Sequence, residues 1–131
     1  MSTRITAGFP DDRLTVVTHY PASQAALARL DANDLTVALR FEVFLGAMEL
    51  ANGYVELSDA DEQRQRFEKE LDLRRAAGRR AAPIDESLLA ALEHGLPDVA
   101  GVAVGFERLH MLYESTGSIA DVITFSFGTQ R

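Results

Sequence analysis

The 131-residue sequence contains no cysteine, which excludes disulfides, thiolate metal sites and cysteine nucleophiles. Its longest apolar runs are far too short to cross a bilayer, and the N-terminus lacks the hydrophobic segment of a signal peptide. Basic residues are also few, 13 against 20 acidic ones, which gives a net charge of −7. This balance argues against a broad nucleic-acid-binding face, although it leaves room for a few phosphate contacts. We therefore expect a cytoplasmic protein with no membrane partner.

What the sequence does contain is the composition of an ordinary globular domain, with 47% hydrophobic and 25% charged residues. The chain length predicts a single domain over residues 1–131, large enough to bury a core, with residues 1–12 as a flexible start. Strand and helix patterns mix without regular alternation. This mixture predicts an α+β fold, an antiparallel sheet flanked by helices.

The first half of the chain carries the strand patterns. Leu14–Tyr20 is rich in β-branched residues and predicts a strand, and Ser23–Leu30 fits either a short helix or a turn. Residues 38–57 predict a hairpin with acidic residues and a tight turn near Gly46. Asn52-Gly53 is a competing hairpin turn, or else marks a bulge inside the second strand.

The second half predicts mainly helices. Ser58 is expected to cap a helix running from Asp59 to about Ala77, in which Glu62 and Arg66 form an i,i+4 pair. Asp85 is expected to cap a second helix. Residues 99–115 predict a buried strand followed by a helix, and the last predicted strand covers residues 119–127.

Three glutamates of the hairpin are candidates for metal chemistry. Glu42, Glu49 and Glu56 are spaced by seven, an offset that changes face on a regular strand, so only a turn or bulge would bring them together. Clustered carboxylates hold Mg²⁺ well when phosphate oxygens complete the coordination. The alternative, which the spacing alone favours, is three solvated glutamates on an exposed sheet face.

A run of small residues leads into a helix that opens with Glu107-Arg108. Gly101, Ala103 and Gly105 would allow a backbone or a ligand to approach closely. An arginine in the first turn of a helix can bind a phosphate with its planar fork. The alternative is that the small residues only permit tight packing and that Arg108 is an ordinary surface residue.

The acidic hairpin and the small-residue run before Arg108 both resemble the C-terminal part of the class II lysyl-tRNA synthetase catalytic core, and this resemblance supports a functional reading of both. Arg40-Phe41-Glu42 with Glu49–Leu57 resembles the acidic hairpin of that family, and Asp59–Phe67 continues the likeness. Gly105-Phe106-Glu107-Arg108 resembles class II motif 3, and Ile119–Phe125 resembles the closing strand. The likeness extends over residues 20–127 in order.

One branch of the family is the most similar. Tyr20–Ala28, Glu49–Gly53 and Ala103 resemble the lysyl-tRNA synthetase paralogues that attach (R)-β-lysine to elongation factor P. Lysyl synthetases usually carry glycine at the position of Ala103. A methyl group there would reshape the amino-acid pocket, which is a route to preferring a β-amino acid.

The resemblance implies an ATP- and Mg²⁺-dependent ligase that forms an aminoacyl-adenylate. It implies that Glu42 and Glu49 bind the metal, that Arg108 grips the γ-phosphate and that Gly105 leaves room for the nucleotide. Glu49 and Arg108 are thereby the implied catalytic residues. It also implies that Asn52, Tyr54 and Ala103 line the amino-acid pocket and that Glu56 pairs with the substrate ε-ammonium.

The same resemblance sets expectations about partners and completeness. The substrate would be lysine or β-lysine, the acceptor elongation factor P or tRNA(Lys) for the full-length family, and the assembly a homodimer. Motifs 1 and 2 of a class II core are not found, so we expect little or no adenylation by this chain alone. The alternatives are a fragment of a genuine lysine-tRNA ligase, or a noncatalytic nucleotide-binding, amino-acid-binding or self-associating module.

Overall fold

A computed structural model describes residues 6–125 of the chain. The regular elements in this range are β1 (Leu14–Pro21), β2 (Leu30–Asp31), β3 (Asp34–Leu45), β4 (Met48–Val55), α1 (Ala60–Ala76), α2 (Glu86–His94), β5 (Ala100–Val104) and α3 (Phe106–Tyr113). Short 3-10 helices cover Ala22–Gln24 and Ile119–Asp121.

Among the described residues, no helix is both long enough and apolar enough to span a membrane.

The strands of residues 6–125 form one five-stranded antiparallel sheet in the order β1–β3–β4–β5, with β2 paired beside β3. The α+β prediction is therefore confirmed. Asn52 and Gly53 lie inside β4, so they do not form the competing hairpin turn. Strand β5 ends the order, and one of its edges has no neighbouring strand in the described part of the chain.

Gly46 lies in the short turn between β3 and β4, at the position that the sequence predicts. Its φ of +53° belongs to the left-handed region, and an added Cβ would lie 1.9 Å from Oδ1 of Asp11. The Gly46 N–H donates to the carbonyl of Pro10 at 3.0 Å. Phe9 packs edge-on against Phe44, with 5.4 Å between the ring centroids. These contacts fix the residues before β1 to the hairpin turn.

The chain divides into two compact units. The first contains the described residues up to Thr18, Phe41–Gly53 and the described residues from Val102 onward, and the second contains His19–Arg40 and Tyr54–Gly101. The second unit has a buried cluster onto which partly buried apolar side chains pack. This alanine cluster consists of Ala25, Ala28 and Ala38.

Helices α1 and α2 contact each other within the second unit. Leu89, only 1% exposed, and Leu92 form the buried side of α2. Arg64 of α1 donates to both carboxylate oxygens of Glu86, at 3.0 and 2.6 Å. These hydrogen bonds lower the pKa of Glu86. The two helices are therefore held together by packing and by a bidentate ion pair.

The ends of the helices follow from their capping residues. Asp59, and not the predicted Ser58, caps α1 by accepting a hydrogen bond from the Glu62 N–H at 2.8 Å. Asp85 caps α2 as predicted, accepting from two backbone N–H groups of the first turn. Gly78 follows the end of α1 with a φ of +64°, a conformation that glycine adopts without steric cost.

Two predictions for the last third of the chain are wrong. The sequence predicts a buried strand at residues 99–105; the strand forms as β5, but all five of its residues are exposed. It also predicts a strand over residues 119–127. Ile119–Asp121 is instead a 3-10 helix, because Ser118 caps it by accepting from the Ala120 N–H at 3.3 Å. Residues 122–125 form no strand, and residues 126–127 lie outside the described range.

Candidate functional site

In the first unit, Arg108 reaches the strand that carries Glu49. Arg108 lies in the first turn of α3, and its Nη1 donates to the carbonyl of Glu49 at 2.5 Å. The Gly105 N–H donates to the carbonyl of Leu50 at 2.8 Å, which ties the start of the helix to β4. A Cβ on Gly105 would lie 3.2 Å from Cδ of Arg108. Glycine at this position therefore lets the arginine fold back over the helix start.

The guanidinium of Arg108 remains available to an anion. The residue is exposed, and within residues 6–125 it forms no ion pair with a carboxylate. A guanidinium carries several N–H donors, of which the Glu49 carbonyl occupies one. The remaining donors suit planar, bidentate binding of a phosphate group. The chemistry predicted for Arg108 therefore fits its position.

Glu42 and Glu49 are the carboxylates of the first unit that the sequence singles out. Glu42 on β3 is only 4% exposed, and Glu49 on β4 is half-buried. Among the described residues, no group of three or more His, Asp or Glu side chains gathers as a metal site. Mg²⁺ is commonly bound by one or two carboxylates together with phosphate oxygens and water. The donor chemistry therefore fits Mg²⁺ accompanied by a nucleotide, and the metal role of both residues stays a prediction.

Asn52 and Ala103 are the other predicted substrate residues of the first unit. Asn52 is half-buried on β4, next to the buried Ala51 and Gly53. Ala103 lies on β5 and is exposed. Both residues are thus accessible to a ligand to some degree, and their roles also stay predictions.

The second unit contains Glu56, directly after β4. Its N–H donates to the carbonyl of Val99 at 3.0 Å, and it forms an antiparallel bridge with Ala28. A Cβ on Gly101 would lie 3.3 Å from Oε1 of Glu56. The residue is half-buried, yet within residues 6–125 its carboxylate has no hydrogen-bond or ion-pair partner. A partly desolvated, unpaired carboxylate is suited to binding a cationic ligand.

Tyr54 precedes Glu56 by two residues and packs on the alanine cluster. Burial raises the pKa of its phenol, the negative charge of Glu56 raises it further, and the charge of Arg40 opposes the shift. The phenol is therefore neutral at physiological pH and can donate a hydrogen bond. Arg40 itself lies 4.7 Å over the ring of Tyr20 and donates to the carbonyl of Gln24 at 2.7 Å.

The structure thus separates the predicted residues into two sets. Arg108, Gly105, Glu42 and Glu49 belong to the first unit, with Asn52 and Ala103, whereas Tyr54 and Glu56 belong to the second. Glu42 is buried, whereas Glu49 and Glu56 are half-buried, so the alternative of three solvated side chains is wrong for Glu42. Sequence reasoning misses the close approach of Gly101 to Glu56, although the small-residue pattern of that strand carries the signal.

Comparison with known proteins shows the family of the chain. Residues 4–128 match the family described as tRNA synthetases class II (D, K and N). The chain is 56% identical over 115 residues to the elongation factor P–(R)-β-lysine ligase of Edwardsiella ictaluri, and 54% identical to that of Pectobacterium carotovorum. The enzyme of the same name from Klebsiella pneumoniae is 52% identical.

Each of these alignments covers 88% of this chain and 35% of the relative. The chain therefore spans about a third of the length of the curated relatives it matches. The resemblance that the sequence motifs predict is confirmed, including its branch.

Proposed function

Because the chain belongs to the tRNA synthetases of class II (D, K and N), we propose that it is part of the catalytic core of an ATP-dependent lysine-activating ligase. The relatives named as elongation factor P–(R)-β-lysine ligases favour (R)-β-lysine as substrate and elongation factor P as acceptor. In this reaction the amino-acid carboxylate attacks the α-phosphorus of ATP, the bond to the β-phosphate oxygen breaks, and pyrophosphate leaves. A genuine lysine-tRNA ligase, with tRNA(Lys) as acceptor, is the alternative within the same family.

The observation that carries this proposal is the unpaired, half-buried carboxylate of Glu56. The ε-ammonium of lysine or β-lysine would neutralise it, and a shorter or uncharged side chain would leave it unpaired. Tyr54 contributes a neutral hydroxyl two residues away. We assign amino-acid binding to these two residues of the second unit. The substrate roles predicted for Asn52 and Ala103 of the first unit stay predictions.

The first unit is proposed to bind the nucleotide. Arg108 would hold the γ-phosphate with the guanidinium N–H donors that do not bind the Glu49 carbonyl. Gly105 would leave room for the nucleotide at the start of α3. Glu42 and Glu49 would hold Mg²⁺. The bound metal would neutralise charge that develops on the leaving pyrophosphate.

The amino-acid half of the proposal is tested by calorimetric titration of the whole chain with L-lysine, (R)-β-lysine and norleucine, which lacks the ε-amine. Glu56→Gln is expected to weaken binding of both amines by roughly 10- to 100-fold, the value of a hydrogen bond to a charged group. Norleucine binding should not change. Glu93→Gln, the same substitution on α2, is the control. Unchanged lysine affinity in Glu56→Gln would contradict the assignment.

The nucleotide half is tested in the same way with Mg·ATP. Arg108→Ala is expected to abolish saturable binding, whereas Arg79→Ala, another exposed arginine, should leave it intact. Equal loss in both variants would point to general charge attraction and against a γ-phosphate role for Arg108. We also expect little or no ATP–pyrophosphate exchange from this chain alone, so robust exchange would contradict that expectation.

A specific observation also favours self-association, and with it a homodimer. All five residues of β5 are exposed, and the run from Val99 to Gly105 contains no charge or proline that would block pairing with another strand. Val102→Lys is expected to shift the chain to monomer in sedimentation experiments, while Leu35→Lys on β3 should not. A wild-type chain that sediments only as monomer would rule out this second function.

A further inference from the structure

Arg66 of α1 reaches a segment that lies far earlier in the chain. Its Nη1 donates to the carbonyl of Ala26 at 2.9 Å and to the carbonyl of Ala28 at 2.7 Å. On the other side of the guanidinium, Nε donates to Glu62 at 3.0 Å and Nη2 bonds the same carboxylate oxygen. Only 20% of the Arg66 side chain is exposed. The side chain is therefore a fixed link between the helix and this segment.

The segment that Arg66 holds needs an anchor. Ala26 has a φ of +51°, a left-handed conformation that an alanine keeps only where its surroundings hold it in place. The Ala28 N–H donates to the carbonyl of Ala25 at 2.8 Å and closes a turn around this residue. One of the two carbonyls bound by Arg66 belongs to Ala26 itself, so the arginine stabilises the turn at its strained residue.

The same segment positions Glu56. Ala28 forms the antiparallel bridge with Glu56. On either side of that bridge, the Leu57 N–H donates to the carbonyl of Leu27 and the Arg29 N–H donates to the carbonyl of Val55, both at 2.9 Å. The backbone of Glu56 is therefore held by residues 27–29, directly beside the carbonyls that Arg66 binds.

We propose that Arg66, oriented by Glu62, is a positioning residue for recognition of the substrate ε-ammonium. By fixing the carbonyls of Ala26 and Ala28, it fixes the backbone pairing that places the Glu56 carboxylate. Glu62 binds the other side of the guanidinium and holds it in the orientation that reaches both carbonyls. This inference rests on the proposed function, because it assumes that Glu56 binds the ammonium.

The test compares Arg66→Lys with Arg74→Lys in the whole chain. Lysine keeps the charge but lacks the planar fork that binds two carbonyls and a carboxylate together. Arg74 is the matched control, since it forms an i,i+4 pair with Glu70 on the same helix. Arg66→Lys is expected to weaken L-lysine binding roughly 10-fold while norleucine binding stays constant. The ratio of the affinity for L-lysine to the affinity for norleucine therefore falls by the same factor. Arg74→Lys should change neither affinity.

Amide hydrogen exchange supplies a readout that needs no ligand. The Leu57 N–H should exchange faster in Arg66→Lys than in the wild type, because its acceptor, the carbonyl of Leu27, lies between the two carbonyls that lose their donor. The Arg74→Lys variant should retain wild-type exchange. Unchanged exchange at Leu57 in Arg66→Lys would overturn the positioning role.

The remaining outcomes separate the inference from the proposed function. Equal weakening of lysine and norleucine binding in Arg66→Lys would indicate a merely structural arginine and overturn the inference. If Glu56→Gln loses selectivity for lysine and Arg66→Lys keeps it, the inference fails and the proposed function stands. If Glu56→Gln keeps selectivity, the proposed role of Glu56 fails and the inference falls with it.

Discussion

Two regions of this molecule hold their arginines in opposite ways. In the packed region, which comprises residues 20–29, α1 and α2, Arg66 is mostly buried and bonds two carbonyls and a carboxylate. In the open region, which comprises β5 and α3, Arg108 is exposed and bonds a single carbonyl, that of Glu49. The donors of Arg66 are used in bonds within the protein, whereas Arg108 has donors that a ligand could use.

Several apolar side chains follow the same division, although Met111 of α3 is buried and Leu73 of α1 is exposed. Ala25, Ala28 and Leu89 of the packed region are almost completely buried. In the open region, Phe106 is 76% exposed and Tyr113 84% exposed. We therefore expect substitutions of buried side chains in the packed region to lower stability, and substitutions of exposed ones in the open region to affect mainly the proposed binding of nucleotide or of a second copy.

The largest effect should come from truncating the packed core. Leu89→Ala is expected to lower the free energy of unfolding by about 3 kcal/mol, because it leaves a cavity at a fully buried position. Phe106→Ala should cost less than about 0.5 kcal/mol. Urea unfolding followed by circular dichroism measures both. A similar cost for Phe106→Ala would show that the open region is covered in solution.

The two arginines provide the next test. Arg66→Ala is expected to lower the free energy of unfolding by about 2 kcal/mol, because it removes charge-assisted bonds to Ala26, Ala28 and Glu62. Arg108→Ala should lower the free energy of unfolding by less than about 0.5 kcal/mol, since the Glu49 carbonyl can accept a hydrogen bond from water instead. The same unfolding experiment decides the outcome, and equal costs would refute the division between a structural and a ligand-binding arginine.

The start of α1 should show a smaller effect. Asp59→Ala is expected to cost about 1 kcal/mol, because the Glu62 N–H loses its acceptor, while Ser58→Ala should be nearly neutral. In the open region, α3 starts at Gly105 without a side-chain cap and offers no equivalent bond to remove. Thermal unfolding of the two alanine variants would check the assignment, and a larger cost for Ser58→Ala would reverse it.

The smallest effect concerns the pH dependence of stability. The pKa of Tyr54 is raised above its ordinary value of 10.0, mainly by burial, so the native state binds the phenolic proton more tightly than the unfolded state does. The associated stability is fully present below pH 10.0 and is lost as the pH rises through the native pKa. Stability measured across this range should fall less steeply in Tyr54→Phe. Identical pH profiles would show that the phenol is not desolvated.

Much of the fold could be predicted from local sequence signals. Gly46 marks the hairpin turn because the turn needs a positive φ at that position. Asp85 marks the start of α2 because its side chain accepts hydrogen bonds from the first N–H groups of the helix. The choice between Ser58 and Asp59 could not be made, since both are good caps in adjacent positions. The burial of β5 was predicted wrongly because an apolar run does not reveal whether anything covers it. Ile119 favours a strand, but the neighbouring Ser118 caps a 3-10 helix instead.

In the candidate site, too, local features could be predicted from the sequence and long-range contacts could not. The residues for which we propose chemical roles, such as Glu56 and Arg108, stand out through their motifs, and the family is confirmed. The local pair of Glu62 and Arg66 could also be predicted from their spacing. The bonds from Arg66 to Ala26 and Ala28 could not, because they depend on how the chain folds back over 40 and 38 residues.

That sequence separation has a kinetic consequence. The Gly46 turn closes between adjacent strands, whereas the Arg66 bonds must wait until α1 has formed and a long loop has closed. Contacts of this kind are made late, so their loss accelerates unfolding more than it slows folding. The Glu56 carboxylate, for which we propose binding of the substrate amine, is thus expected to be among the last groups to reach its place and among the first to leave it when the native state opens.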